Sequence, residues 1–160
     1  VGHLTMALFL ARAGLKQEAV LYKGGGPAMA DVIAGHVPCY FGNLNEITPH
    51  PGSGRLKVYA VSSERRAPQL PQVPTVAEQG YPGFRTLTWN GSVAPGATPR
   101  DIVERIAREI AAGCKDAAFV ERLNKIGVDA VCSTPAEFSQ AVREDLATWK
   151  EAVQAAGMQK

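Results

Sequence analysis

The chain has 160 residues, 46% hydrophobic and 20% charged, a balance that suits one folded domain or two small lobes and excludes disorder. Its 17 basic and 15 acidic residues leave a net charge of +2, too small and too evenly spread for a nucleic-acid or membrane-surface footprint. The longest apolar run, residues 6–11, is far short of a bilayer span. No signal peptide is visible, and the opening Val1-Gly2-His3 reads as a trimmed or processed start.

The first half alternates helices with short strands. Residues 3–13 carry apolar side chains on most sides and predict a largely buried helix, closed by Gly14. A strand is expected over 18–22. A helix over 27–34 follows, with Pro27 in its first turn and Gly35 at its end. A second strand is expected over 37–41, a short helix over 44–48 closed by Pro49, Pro51, Gly52 and Gly54, and a third strand over 56–61. Strands and helices at such intervals imply a mainly parallel sheet.

The second half is built differently. Residues 66–84 hold Pro68, Pro71, Pro74 and Pro82 and read as a surface connection with one short helix, started by the capping box Thr75 and Glu78. A strand over 86–93 ends at Ala94-Pro95-Gly96. Three helices follow, with a short strand at 128–131 among them. Thr98-Pro99 and Thr134-Pro135 each place threonine at an N-cap and proline at the first helical position. Ile102, Val103, Ile106 and Ile110 mark one buried face; Phe138, Val142, Leu146, Trp149 and Val153 mark another; Phe119, Val120, Leu123 and Ile126 give the middle helix its stripe. Three cysteines, Cys39, Cys114 and Cys132, fit no zinc or redox spacing. They read as small buried residues, with a Cys114–Cys132 bridge left open.

The segment richest in chemistry is Tyr22-Lys23-Gly24-Gly25-Gly26-Pro27-Ala28, which leaves a strand and opens a helix. The first N–H groups of a helix have no internal acceptor, and the helix dipole adds partial positive charge there. Three glycines let a ligand approach the backbone closely. A carboxylate is the natural guest, with the N–H groups of Gly25, Gly26, Ala28 and Met29 as donors. Lys23 either adds charge or points to solvent, and the whole turn could equally be a flexible helix start. Neither the phosphate-loop nor the dinucleotide-loop spacing is present. Gly42 and Asn43, at the end of the next strand, would lie beside this loop. Asn43 can contact a ligand or cap the helix after it.

Catalytic groups are scarce. No nucleophile elbow or metalloprotease helix motif occurs; His3, His36 and His50 are far apart in sequence; Ser62 and Ser63 have no recognisable base. The expectation is a binding protein without cofactor, metal or enzymatic activity.

Several motifs occur in a fixed order: Gly2-His3-Leu4; Tyr22-Lys23-Gly24 with Pro27-Ala28, Asp31-Val32 and Gly35-His36-Val37; Gly54-Arg55-Leu56-Lys57-Val58; Pro71, Val73-Pro74-Thr75-Val76 and Glu78; Trp89 and Gly91; Ala94-Pro95-Gly96 with Thr98-Pro99; and Thr134-Pro135 with Glu137-Phe138 and Trp149. In this order the chain resembles the tripartite tricarboxylate transporter receptor family, the Bug-type extracytoplasmic solute-binding receptors. The resemblance implies an α/β fold, part of a two-lobed, type II periplasmic-binding-protein-like (Venus flytrap) architecture. Residues 1–87 would form the second ligand-binding lobe, and 88–160 the helix-rich return into an incomplete first lobe.

It also implies a periplasmic receptor that delivers a small carboxylate, an organic acid or amino acid, to membrane permease subunits, with no nucleic acid as partner. Tyr22 to Ala28 would fall at the ligand's carboxylate. The chain departs from the family in three ways: it is about half a member, Gly42 stands where the family usually has aspartate, and Pro51 stands where an apolar helical residue is usual. The alternatives are a non-binding remnant that self-associates, as a homodimer through the truncated lobe, and an effector-sensing domain of a transcription regulator, for which no helix-turn-helix is present.

Overall fold

The computed structural model describes residues 1–47 and 54–158. Its helices are α1 (Gly2–Ala13), α2 (Gly25–Ala34), α3 (Leu44–Ile47), α4 (Arg100–Gly113), α5 (Ala117–Lys125) and α6 (Pro135–Ala155). Local chemistry sets most of their limits. Gly14 and Gly35 take left-handed φ values of 66° and 80° and stop α1 and α2. The next N–H groups reach back, Leu15 to the Leu10 carbonyl at 2.9 Å and His36 to the Asp31 carbonyl at 2.8 Å, which satisfies carbonyls left open at a helix end. Asp116 caps α5 by accepting from the N–H groups of Ala118 and Phe119. At α6 the expected N-cap Thr134 forms a reciprocal box: its N–H donates to Glu137 at 2.8 Å and the Glu137 N–H returns to the Thr134 hydroxyl at 3.2 Å.

Two helix starts differ from expectation. α2 begins at Gly25, so Pro27 is its third residue and not its first; proline is tolerated there because that N–H has no acceptor within the helix. α4 begins at Arg100, because Pro99 keeps an extended ψ of 139° and takes the N-cap in place of Thr98. The box at Thr75 also forms, with the Thr75 N–H 2.7 Å from Glu78 and the Glu78 N–H 3.1 Å from the Thr75 hydroxyl. It closes a turn, not the expected helix. The end of the helix expected over 44–48, with Pro49 and Pro51, lies outside the described residues.

The segments expected as strands build no ladder among the described residues. One parallel bridge joins Val61 to Thr75. A strand is held by the N–H and C=O groups of a neighbour, and no second strand lies alongside these segments among the described residues. Val20, Leu21, Tyr59, Val93 and Val131 are accordingly exposed.

The chain divides into two compact units, one of Val1–Thr88 with the chain from Ala147 on, the other of Trp89–Leu146. The core of the first unit is Leu8, Val76, Phe84 and Ala152, with Leu4, Phe9, Ala60, Tyr81 and Trp149 packed around it. Phe9 meets Tyr81 and Phe84 edge-on at 5.2 and 6.1 Å between ring centroids. Arg12 lies over Phe84 at 5.6 Å and donates to Glu151 through two nitrogens. Burying a side chain such as Phe84, 1% exposed, contributes about 2–3 kcal/mol, so this aromatic group anchors α1 and the end of α6 to the 73–84 turn.

In the second unit the Trp89 indole donates to the buried Asp145 carboxylate at 2.7 Å. Trp89 also packs edge-on against Phe138 at 4.9 Å. Gly91 rests on that ring so closely that a β-carbon would collide with it. Cys114 and Cys132 are joined as a disulfide, and Cys39 is free and exposed rather than buried. The stripe of α4 expected to be buried is not: Ile102, Ile106 and Ile110 are 42%, 46% and 42% exposed. Leu146 of α6 is likewise exposed. Amphipathic spacing identifies an apolar face but not whether another element covers it.

Candidate functional site around the start of helix α2

Gly24 precedes α2 with φ 119° and ψ 172°, a conformation open essentially to glycine alone. This sharp entry starts α2 two residues earlier than the sequence suggested. In an i to i−4 helix the N–H groups of Ala28 and Met29 then fall to the carbonyls of Gly24 and Gly25. The donors left over are those of Gly24, Gly25 and Gly26, since Pro27 has none. Ala28 and Met29, expected as donors, are instead buried packing residues. Lys23 is exposed.

The three glycines differ in what constrains them. Gly24 is fixed by its backbone angles. Gly26 has open space where a side chain would be. A β-carbon at Gly25 would run into the Glu46 carboxylate. Gly42 is crowded by the same carboxylate and by the Tyr40 ring. The Phe41–Glu46 stretch therefore lies directly against the start of α2. It also meets the start of α1, because a β-carbon at Gly2 would collide with the Phe41 carbonyl. Two helix N-termini thus abut one turn, and each brings partial positive charge to it.

Tyr22, Gly42 and Asn43 are all brought to this region, and Tyr22 and Asn43 have polar groups engaged inside the protein. The Tyr22 hydroxyl donates to Asp31 at 2.6 Å. The Asn43 N–H donates to Glu46 Oε2 at 3.0 Å, and its Nδ2 lies 3.4 Å from Oε1. Asn43 is therefore a partner of Glu46, not a side-chain cap on α3. The Tyr40 hydroxyl also donates to Glu46 Oε2, at 2.9 Å. Burial, and then the neighbouring carboxylate, push the Tyr40 phenol up to about 12, so it stays protonated and keeps donating at any physiological pH.

Sequence reasoning missed Glu46, Tyr40 and Asp31 as parts of the site. A signal for Glu46 was present, since Asn43 with Glu46 three residues on is the spacing of a capping box. Glu46, Gly26, Met29, Ala30 and Ile33 line a cleft of about 260 Å3 along α2. Among the described residues no group of three His, Cys, Asp or Glu side chains is placed to hold a metal, and no helix is long and apolar enough to cross a membrane.

A glycine-opened helix start beside an asparagine turn is common to many anion sites, so the fold around it decides the kinship. The sequence profile of the tripartite tricarboxylate transporter family receptor matches residues 1–158. The chain belongs to that family. Among solved structures, R. palustris Rpa4515 with adipate is similar at a TM-score of 0.83 and 32% identity, over 98% of this chain and 52% of that one. The periplasmic binding protein BugD follows at 0.78 and 31%, over 98% and 53%. MatC from Rhodopseudomonas palustris with bound malate follows at 0.79 and 27%, over 96% and 53%. The chain spans about half the length of the curated relatives it matches, 45% and 48% for two that are 35% and 32% identical. Its fold is accordingly part of a two-lobed periplasmic-binding-protein architecture, and in these residues mostly helical.

Proposed function

We propose that this chain is part of an extracytoplasmic receptor that holds a small carboxylate at the start of α2 and delivers it to the membrane permease subunits of a tripartite tricarboxylate-type transporter. Residues 1–87 serve as the second ligand-binding lobe in this reading, and 88–160 as the return of the chain into the first. The N–H groups of Gly24, Gly25 and Gly26 are the carboxylate donors. Tyr22, Pro27 and Ala28 shape the loop, Lys23 adds charge, and Gly42 and Asn43 form the opposite wall.

The observation that carries the proposal is the abutment of the α1 and α2 N-termini on the Phe41–Glu46 turn. Oriented N–H groups and two dipoles at one place favour a negative charge. The carboxylates in two related structures agree with that chemistry. The Cys114–Cys132 bridge suits an oxidising compartment such as the periplasm. We read the protein as a binder rather than an enzyme, in keeping with the family's description as a receptor.

Calorimetry with hexanoate, adipate and malate tests the site. Gly26→Val places a branched side chain beside the N–H groups at a position whose β-carbon meets open space. It should abolish carboxylate binding while the melting temperature barely moves. Equal affinity in the variant and the parent would refute the assignment.

A further inference from the structure

The start of α2 already has an anion of the protein's own beside it. A β-carbon at Gly25 would run into the Glu46 carboxylate, so that group lies against the backbone of a residue whose N–H is assigned to the ligand. It is also fixed there. Glu46 Oε2 accepts from the Tyr40 hydroxyl at 2.9 Å and from the Asn43 N–H at 3.0 Å. Both donors are dependable: the Asn43 N–H belongs to the main chain, and the Tyr40 phenol, pushed up to about 12 chiefly by burial, keeps its proton. The Asn43 side chain turns to the same carboxylate, with Nδ2 3.4 Å from Oε1. The polar groups of this wall are therefore directed at Glu46.

A ligand carboxylate that accepts from the Gly25 N–H comes to rest within about 8 Å of Glu46, given ordinary bond lengths and hydrogen-bond distances. That is no farther than one Debye length at physiological ionic strength, so two like charges so placed repel. The two helix starts attract the ligand, and Glu46 opposes it. We infer that Glu46 is an affinity-limiting residue of this site, a fixed like charge that holds carboxylate binding below what the two helix starts alone would give. A lower affinity of this origin appears mostly as faster release, which suits a receptor that passes its ligand on. The inference rests on the carboxylate site proposed above.

Hexanoate and adipate, titrated calorimetrically into the receptor, are the probes. Glu46→Gln removes the charge but keeps an acceptor for the Tyr40 hydroxyl and the Asn43 N–H. It should bind both probes about three- to tenfold more tightly than the parent in about 0.01 M salt, the scale of one like-charge pair at this distance in a partly hydrated site. The gain should shrink to less than about twofold in about 1 M salt, where the screening length is about 3 Å. This salt sensitivity separates a charge effect from a packing effect, which salt leaves in place. Glu46→Ala, which also relieves the crowding at Gly25, should act in the same direction and guards against a folding defect in the first variant. Equal or weaker binding by both variants at low salt, or a gain that survives unchanged at high salt, would overturn the inference, while binding of either probe by the parent leaves the receptor reading standing. Failure of the parent and both variants to bind either probe would overturn that reading, and the inference with it.

Discussion

The Tyr22 hydroxyl donates to Asp31 Oδ2 at 2.6 Å while His36 Nδ1 lies 3.2 Å from Oδ1, so one carboxylate ties the loop entering α2 to the turn that leaves it. The Tyr22 bond, and then the His36 bond, hold the Asp31 carboxyl below its usual range, and the same bond raises the Tyr22 phenol. Tyr22→Phe should therefore free the loop before Gly24. The expected outcome is a several-fold weaker carboxylate affinity with little change in melting temperature, checked by calorimetry and thermal unfolding in parallel.

The glycines of the α2 start should separate in their behaviour. Gly26 is helical with open space around it, so Gly26→Ala should leave stability equal or raise it by roughly 0.5–1 kcal/mol, through a less flexible unfolded chain. Gly24→Ala forces a side chain onto φ 119° and ψ 172° and should cost about 1–3 kcal/mol. Denaturant melts of the two variants check the contrast.

Two glutamates make stability depend on acid. Glu78 lies low because of Arg66 and then the Thr75 N–H; Glu137 lies low because of the Thr134 N–H and then its hydroxyl. A carboxyl depressed on folding stabilises the protein fully above its unfolded value, here 4.5. That contribution is lost as pH falls through the lower folded value. Melting temperature should therefore begin to fall below about pH 4.5, and the fall should be smaller in the double variant Glu78→Gln, Glu137→Gln.

The Cys114–Cys132 bridge joins positions 18 apart and closes a loop containing all of α5. A loop of that size contributes about 3 kcal/mol by restricting the unfolded chain. Dithiothreitol, or Cys114→Ser with Cys132→Ser, should lower the melting temperature. Amide exchange should rise in α5 first, and no change in α5 exchange would contradict this account.

The exposed isoleucines of α4 should make the polypeptide associate with itself. Ile102, Ile106 and Ile110 form one stripe at i, i+4 and i+8 spacing, and contiguous apolar surface of this kind promotes contact with other surfaces. Light scattering should show mass rising with concentration, and Ile106→Lys should suppress the rise.

How much of this was legible in the sequence depends on the range of the interactions. Helix ends were readable where Gly14, Gly35 and the threonine at position 134 act within a turn of themselves, whereas the Asp116 cap of α5 was not singled out. The glycine-opened start of α2, on which the candidate site is built, was readable for the same reason, as glycines at a helix start speak of local backbone geometry. Strands over 18–22 or 128–131 were not secure, because a strand depends on a partner distant in sequence. The burial of Ile106 was inferred from spacing, which cannot report what lies opposite. Glu46 escaped notice because its role comes from meeting Gly25, 21 positions earlier in the chain, and no local pattern encodes that meeting.

A β-carbon at Gly25 or at Gly42 would overlap the Glu46 carboxylate. A side chain at either glycine therefore displaces the end of Glu46, and with it the bonds from the Tyr40 hydroxyl and the Asn43 N–H. Two positions 17 apart in the chain thus report to one carboxylate, so a change at either is read out at residue 46.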